Sequence, residues 1–178
     1  MIALDVPGGD FAPHATLSGA LGAARRGVSV LLCGPSELMR HRLHELDSAW
    51  HNLPITLAEA PDIIEMGEHP ALAVRNKPHS SLGVAVQAVA AGQARGVVSA
   101  GNSGALMVAA LRMLGLQDGI ERPAIAGWLP ARTGRVLCLD LGANTDCKPR
   151  YLVQFAHLGA ELLREEHGIT SPRIGLLS

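Results

Sequence analysis

Aromatic side chains are scarce in this chain: two Trp, one Tyr and two Phe among 178 residues. With 48% hydrophobic residues, the core must be built from Ala, Val, Leu and Ile, with glycine allowing close backbone approach. Charge of one sign is also missing, since the formal net charge is -1. That excludes the electrostatic footprint of a nucleic-acid-binding protein, and no run of like charges forms a tail. No apolar run approaches the ~20 residues of a membrane-spanning helix. The first residues lack the basic region and long apolar segment of a signal peptide. The three cysteines, Cys33, Cys138 and Cys147, form no close pair, as expected of a reducing cytosol. Cys33 and Cys138 lie in apolar runs and read as buried small hydrophobes, whereas Cys147 sits in a polar loop, as a plain or a reactive thiol. The eight histidines make no HExxH or related pattern, so no metal and no cofactor is expected.

What is present is an alternation of short apolar runs and helix-period segments. Met1 to Leu4, Val28 to Cys33, Pro54 to Ala58 and Val97 to Ala100 read as strands. Helices are expected after Pro13, after a Ser36 cap, over Ala71 to Arg75, after Ser80 or Ser81, over Leu106 to Leu114 and from Tyr151 to His167. Pro123 to Leu129 and Arg135 to Leu141, joined at Arg132-Thr133-Gly134, suit an antiparallel hairpin. The pattern argues a single α/β domain over residues 1–178 with a mostly parallel, mixed sheet. Ile174 to Leu177 read as one more buried strand entering a loop, at which the sequence stops.

Ligands of open α/β sheets bind beyond the C-terminal ends of the strands. Four loops occupy such positions, and all are rich in Gly, Asp, Asn, Ser or Lys. In the first, Gly8 and Gly9 let the backbone approach a ligand, and Asp5 and Asp10 flank them. Asp5 either orients a substrate, acts as a base or caps the turn, while Asp10 binds a ligand or caps the next helix. In the second, Arg75 and Lys77 precede Ser80 and Ser81. They can grip phosphate or make a solvated turn. The third, Ser99-Ala100-Gly101-Asn102-Ser103-Gly104-Ala105, follows a strand and opens a helix. Free backbone N–H groups and a positive dipole end make such a turn an anion site, though close packing alone also selects glycine there. It is neither a GxxxxGK[ST] loop nor GxGxxG. The fourth runs from Asp140 through Asn144, Asp146 and Cys147 to Lys148 and Pro149. Hydrogen bonding and charge balance around an anion fit it better than a metal.

Taken together, these loops resemble the PlsX family of phosphate acyltransferases of bacterial phospholipid synthesis. The resemblance rests on Asp5 to Asp10, on Pro70-Ala71-Leu72-Ala73-Val74-Arg75-Asn76-Lys77 with Ser80-Ser81, and on Ser99 to Ala105. Glu121-Arg122-Pro123-Ala124, Asp140 to Pro149 with Leu152-Val153-Gln154, and Thr170 to Leu177 complete it, in order and from end to end. Pro7 departs from it, standing where the family usually carries Met. The family also continues well past this point, with an Asp-Gly-Phe-Thr-Gly-Asn motif and a helical region. The chain is therefore expected to be the N-terminal part of a longer enzyme, with an incomplete active site.

The resemblance implies an αβα sandwich like that of phosphotransacetylases and isocitrate dehydrogenases. It implies transfer of a fatty acyl group from acyl carrier protein to inorganic phosphate, giving acyl phosphate for phospholipid synthesis. It further implies a cytoplasmic homodimer attached peripherally to the inner membrane surface. On this reading Asp5, Lys77, Asp140 and Lys148 are the catalytic candidates. Gly8, Gly9, Asp10, Arg75, Ser80, Ser81, Ser99, Gly101, Asn102, Ser103, Gly104, Asn144 and Asp146 are the substrate- and phosphate-binding candidates. No nucleophile–base pair stands out, so phosphate is expected to attack the thioester directly. Two other readings remain: a phosphotransacetylase using coenzyme A, and a non-catalytic anion-binding fragment. A dinucleotide oxidoreductase lacks its fingerprint here.

Overall fold

The computed structural model describes residues 1–177. Its first strand, β1 (Ile2–Asp5), pairs in parallel with β2 (Val30–Gly34) on one side and with β4 (Val97–Val98) on the other. β3 (Ile55–Glu59) extends the sheet beyond β2, giving the order β3-β2-β1-β4 with every pair parallel. Parallel strands are covered on both faces, and all five residues of β2 are buried. The pleat sends alternate residues to opposite faces. Leu4, Val30 and Leu32 meet Leu17, Leu21, Met39 and Leu43 from α1 (His14–Ala24) and α2 (Ser36–Leu46). Ala3, Leu31 and Cys33 meet Ala85 and Ala88 from α4 (Ser81–Ala90). This is the expected αβα sandwich. Where aromatics are scarce, small alanines let α4 lie close on the sheet, and branched side chains fill the other face. Leu17, Leu32 and Leu43 are completely buried, and truncating any one to Ala costs about 2–5 kcal/mol.

Behind α4 a third apolar cluster joins α3 (Pro70–Asn76) and α5 (Ser103–Met113), through Val74, Leu82, Val86, Ala105 and Ala109. These elements belong to one compact unit, Met1–Gly115. The residues from Leu116 on form a second. There β5 (Ala126–Pro130) and β6 (Arg135–Leu139) make an antiparallel hairpin, and α6 (Pro149–His167) ends at Gly168 in the left-handed conformation. The Arg135 guanidinium lies 4.2 Å from the centre of the Trp128 ring.

Four local expectations are revised. Ser36 is the first helical residue of α2 and not its cap: Pro35 holds that position, and the Ser36 amide donates to Glu59 Oε2 at 3.0 Å. α5 begins at Ser103, earlier than its apolar period suggests. The hairpin is a separate two-stranded sheet, so the four-stranded sheet is wholly parallel. Ile174 to Leu177 carry no regular structure. Among the described residues no helix is long and apolar enough to cross a membrane.

Candidate functional site

Asp5 ends β1 and is buried, only 3% exposed. A carboxylate in that position needs donors, and it finds two hydroxyls from distant parts of the chain. Ser81 Oγ, in the first turn of α4, donates to Asp5 Oδ1 at 2.6 Å. Ser99 Oγ, just beyond β4, donates to Asp5 Oδ2 at 2.7 Å. Ser99 Oγ in turn accepts the Gly101 amide at 3.1 Å. One carboxylate thus joins β1, the start of α4 and the turn after β4.

Two glycines make this junction sterically feasible. A Cβ on Gly8 would lie 2.5 Å from Asp5 Oδ2 and 3.0 Å from the Gly101 nitrogen. Gly9 adopts φ +113°, a conformation side chains disfavour, and its Cβ would sit 3.0 Å from that of Ala100. The first and third candidate loops therefore pack backbone to backbone. Thr16 of α1 fixes the first loop from behind, donating to the Val6 carbonyl at 2.7 Å.

The third loop enters α5 through Asn102, whose Oδ1 accepts the Ala105 amide at 2.9 Å. The Leu106 amide goes to the Asn102 carbonyl. The N–H groups of Ser103 and Gly104 are left without an intrahelical acceptor, at the positive end of the helix dipole. Asn102 does more than cap. Its Nδ2 lies within hydrogen-bond distance of the carbonyls of Glu65, Met66 and Glu68, at 3.3, 3.3 and 3.0 Å. Ser80 is the cap of α4, accepting the Gly83 amide at 3.2 Å.

Neither cation of the second loop bonds to the Asp5 junction. Lys77 Nζ donates to the Ile63 carbonyl at 2.7 Å and pairs with Glu68. The Lys77 hydrogen bond holds the Glu68 carboxyl below its usual range. Arg75 is exposed, as are Asp10 and Ser103. Cys33, the β2 partner of Asp5 in register, is fully buried. Burial, and then the charge of Asp5, push its thiol up to about 12.

The fourth loop belongs to the second unit, where Asp140 binds locally. Its Oδ1 accepts the amides of Ile125 at 2.8 Å and Ala143 at 3.2 Å, and its Oδ2 accepts the Asn144 amide at 2.7 Å and Asn144 Nδ2 at 3.0 Å. Burial pushes the carboxyl up, but the Ile125 amide and then the Asn144 donors outweigh it and hold it below its usual value. Asn144 also donates to the Pro123 carbonyl. Asp146, Cys147 and Lys148 are exposed, and Lys148 precedes α6 without a side-chain cap bond.

A family model described as a fatty acid synthesis protein matches residues 1–178. The chain belongs to that family. Among curated members, a phosphate acyltransferase of Anaeromyxobacter dehalogenans is 47% identical over 99% of this chain and 49% of its own length. Those of Herpetosiphon aurantiacus and Gloeobacter violaceus are 47% and 45% identical, again over 99% of this chain, and 48% and 52% of their own lengths. The chain spans about half the length of the curated relatives it matches. Three features carry no local signal in the sequence: the shared acceptor of Ser81 and Ser99, the three carbonyls beside Asn102, and the Lys77–Glu68 pair. The first two join residues far apart in the chain, and the third spans nine positions, across α3.

Proposed function

We propose that this chain is the N-terminal part of a phosphate acyltransferase that moves a fatty acyl group from acyl carrier protein to inorganic phosphate. One observation carries the reading. The Asp5–Ser81–Ser99 junction sets the Gly8 and Gly101 backbones together beside the open N–H groups at the start of α5. An anion at such a helix start gains both hydrogen bonds and dipole attraction. The names of the relatives supply the reaction, and the resemblance supplies the carrier.

In the proposed step a phosphate oxygen attacks the thioester carbonyl carbon. A C–O bond forms, the C–S bond breaks, and the carrier leaves as its thiol after taking a proton. Holding both reactants in place contributes most, since well-oriented reactants gain about 7–11 kcal/mol. The N–H groups of Ser103 and Gly104 hold phosphate or the developing oxyanion. Asp5 positions the two serines, and Gly8 and Gly9 let the first loop pack against the third. The exposed Arg75, in the same unit as this site, supplies a cation to neutralise phosphate, and Lys77 acts through the segment it holds. The homodimer, the cytoplasmic location and the peripheral contact with the inner membrane surface belong to the same proposal.

The test is a turnover assay on the intact protein that carries this chain. Acyl carrier protein and coenzyme A thioesters are compared at equal phosphate, and acyl phosphate is trapped with hydroxylamine. Acyl phosphate from the carrier-protein substrate supports the reading, and turnover with coenzyme A alone replaces it by a phosphotransacetylase. An acyl group trapped on Ser103 or Cys147 during turnover rules out direct attack.

A further inference from the structure

Beside the Asp5 junction lies a cavity of about 250 Å³. Val6 and Pro7 of the first loop, Leu38 and Met39 of α2, and Ile63 and Glu65 of the segment before α3 line it. Among the described residues, Glu65 is the one polar residue type in its lining, and the cavity is larger than the ~150 Å³ engineered apolar cavity that takes up benzene. The rim adds a second sign. Leu38 lines the cavity and is itself 39% exposed. A large apolar side chain left partly in water at such a hollow suits an apolar ligand.

The outer wall is held in place rather than packed. Lys77 Nζ binds the Ile63 carbonyl, and Asn102 Nδ2 reaches that of Glu65. Asn102 is also the cap of α5, so one side chain joins the anion-site helix to the cavity wall. A larger hollow of about 450 Å³ shares only Pro13 with this cavity. It is lined otherwise by His14, Arg42, Glu45 and Leu46, none of them on the candidate loops.

We propose that the Leu38–Met39–Ile63 cavity takes the hydrocarbon tail of the acyl substrate and that Leu38 and Ile63 set its length preference. The inference rests on the acyl-transfer reading above, and it assigns to that reaction a subsite and its specificity-determining residues.

The experiment titrates the 178-residue chain with inorganic phosphate and with n-alkylphosphonates from ethyl to dodecyl, by calorimetry below their micelle concentrations. Affinity is expected to rise by up to about fourfold per added methylene and then level off when the cavity is full. L38W and I63W, each confirmed to melt cooperatively, should shorten the rising part while leaving phosphate affinity unchanged. A rise with chain length but no phosphate binding supports the cavity and contradicts the anion site. Phosphate binding with a flat alkyl series, or a series that neither variant alters, overturns the cavity and leaves the acyl-transfer reading standing. Absence of binding by both ligands overturns both.

Discussion

Asp5 and Asp140 each lie at the C-terminal end of a strand, and each carboxylate is covered by donors, but the donors differ in kind. Asp140 is bound by amides and a side chain of its own unit, three of its four bonds coming from residues within four positions. It closes a loop. Asp5 is bound by hydroxyls 76 and 94 residues away. It holds three elements in register at the mouth of a parallel sheet, where ligands of such folds bind. The Asp140 carboxylate is saturated from its own neighbourhood, and that of Asp5 gathers distant hydroxyls beside a helix start.

The sharpest way to break this contrast is to remove each carboxylate. In the intact protein, Asp5→Asn should lower acyl phosphate formation by about 100-fold or more, the scale of misplacing the reacting groups when a positioning residue is lost. It should also cost about 1–3 kcal/mol of stability, because one of the two serine hydroxyls loses its acceptor and meets an amide N–H instead. Gly8→Ala tests the same junction sterically. Its Cβ would press on Asp5 Oδ2, so about 1–3 kcal/mol and much of the activity should be lost.

Asp140 should behave as a pH-dependent strut. Its folded pKa is below the ordinary 3.8, so its contribution is present above that value and disappears as pH falls through the lower folded value. Asp140→Asn should cost about 1 kcal/mol near neutral pH and flatten the acid limb. Trp128 fluorescence in a Trp50→Phe background reads this, since Trp128 lies in β5. Thiol labelling provides a milder check. The exposed Cys147 should be labelled in the folded chain, whereas the buried Cys33 should stay silent until the chain unfolds. The smallest effect is expected for Lys77→Met, with a slight fall in Tm and faster proteolysis within residues 61–69.

Much of the fold was legible because its signals are local. Apolar runs broken by glycine loops marked β1 to β4, and Pro13 and Ser80 marked helix starts. Ser36 misled because Pro35 already supplied the extended backbone that precedes a helix. The run Ile174 to Leu177 has strand composition, but pairing is a tertiary event that composition does not contain. The candidate site was legible as a set of loops. Glycine and serine after strands picked out Asp5, Gly8, Ser81, Ser99 and Gly101, and the structure brings these together. The partners were not legible. Nothing near Lys77 in the sequence points to the Ile63 carbonyl, and nothing near Asn102 points to a segment 34 to 37 residues away.

The most direct test of the Asp5 junction is turnover of acyl carrier protein thioester with phosphate by the intact protein, comparing wild type with an Asp5→Asn variant shown to remain folded. The account predicts acyl phosphate from the wild type and at least about a 100-fold loss in the variant. Equal rates from the two proteins would contradict it.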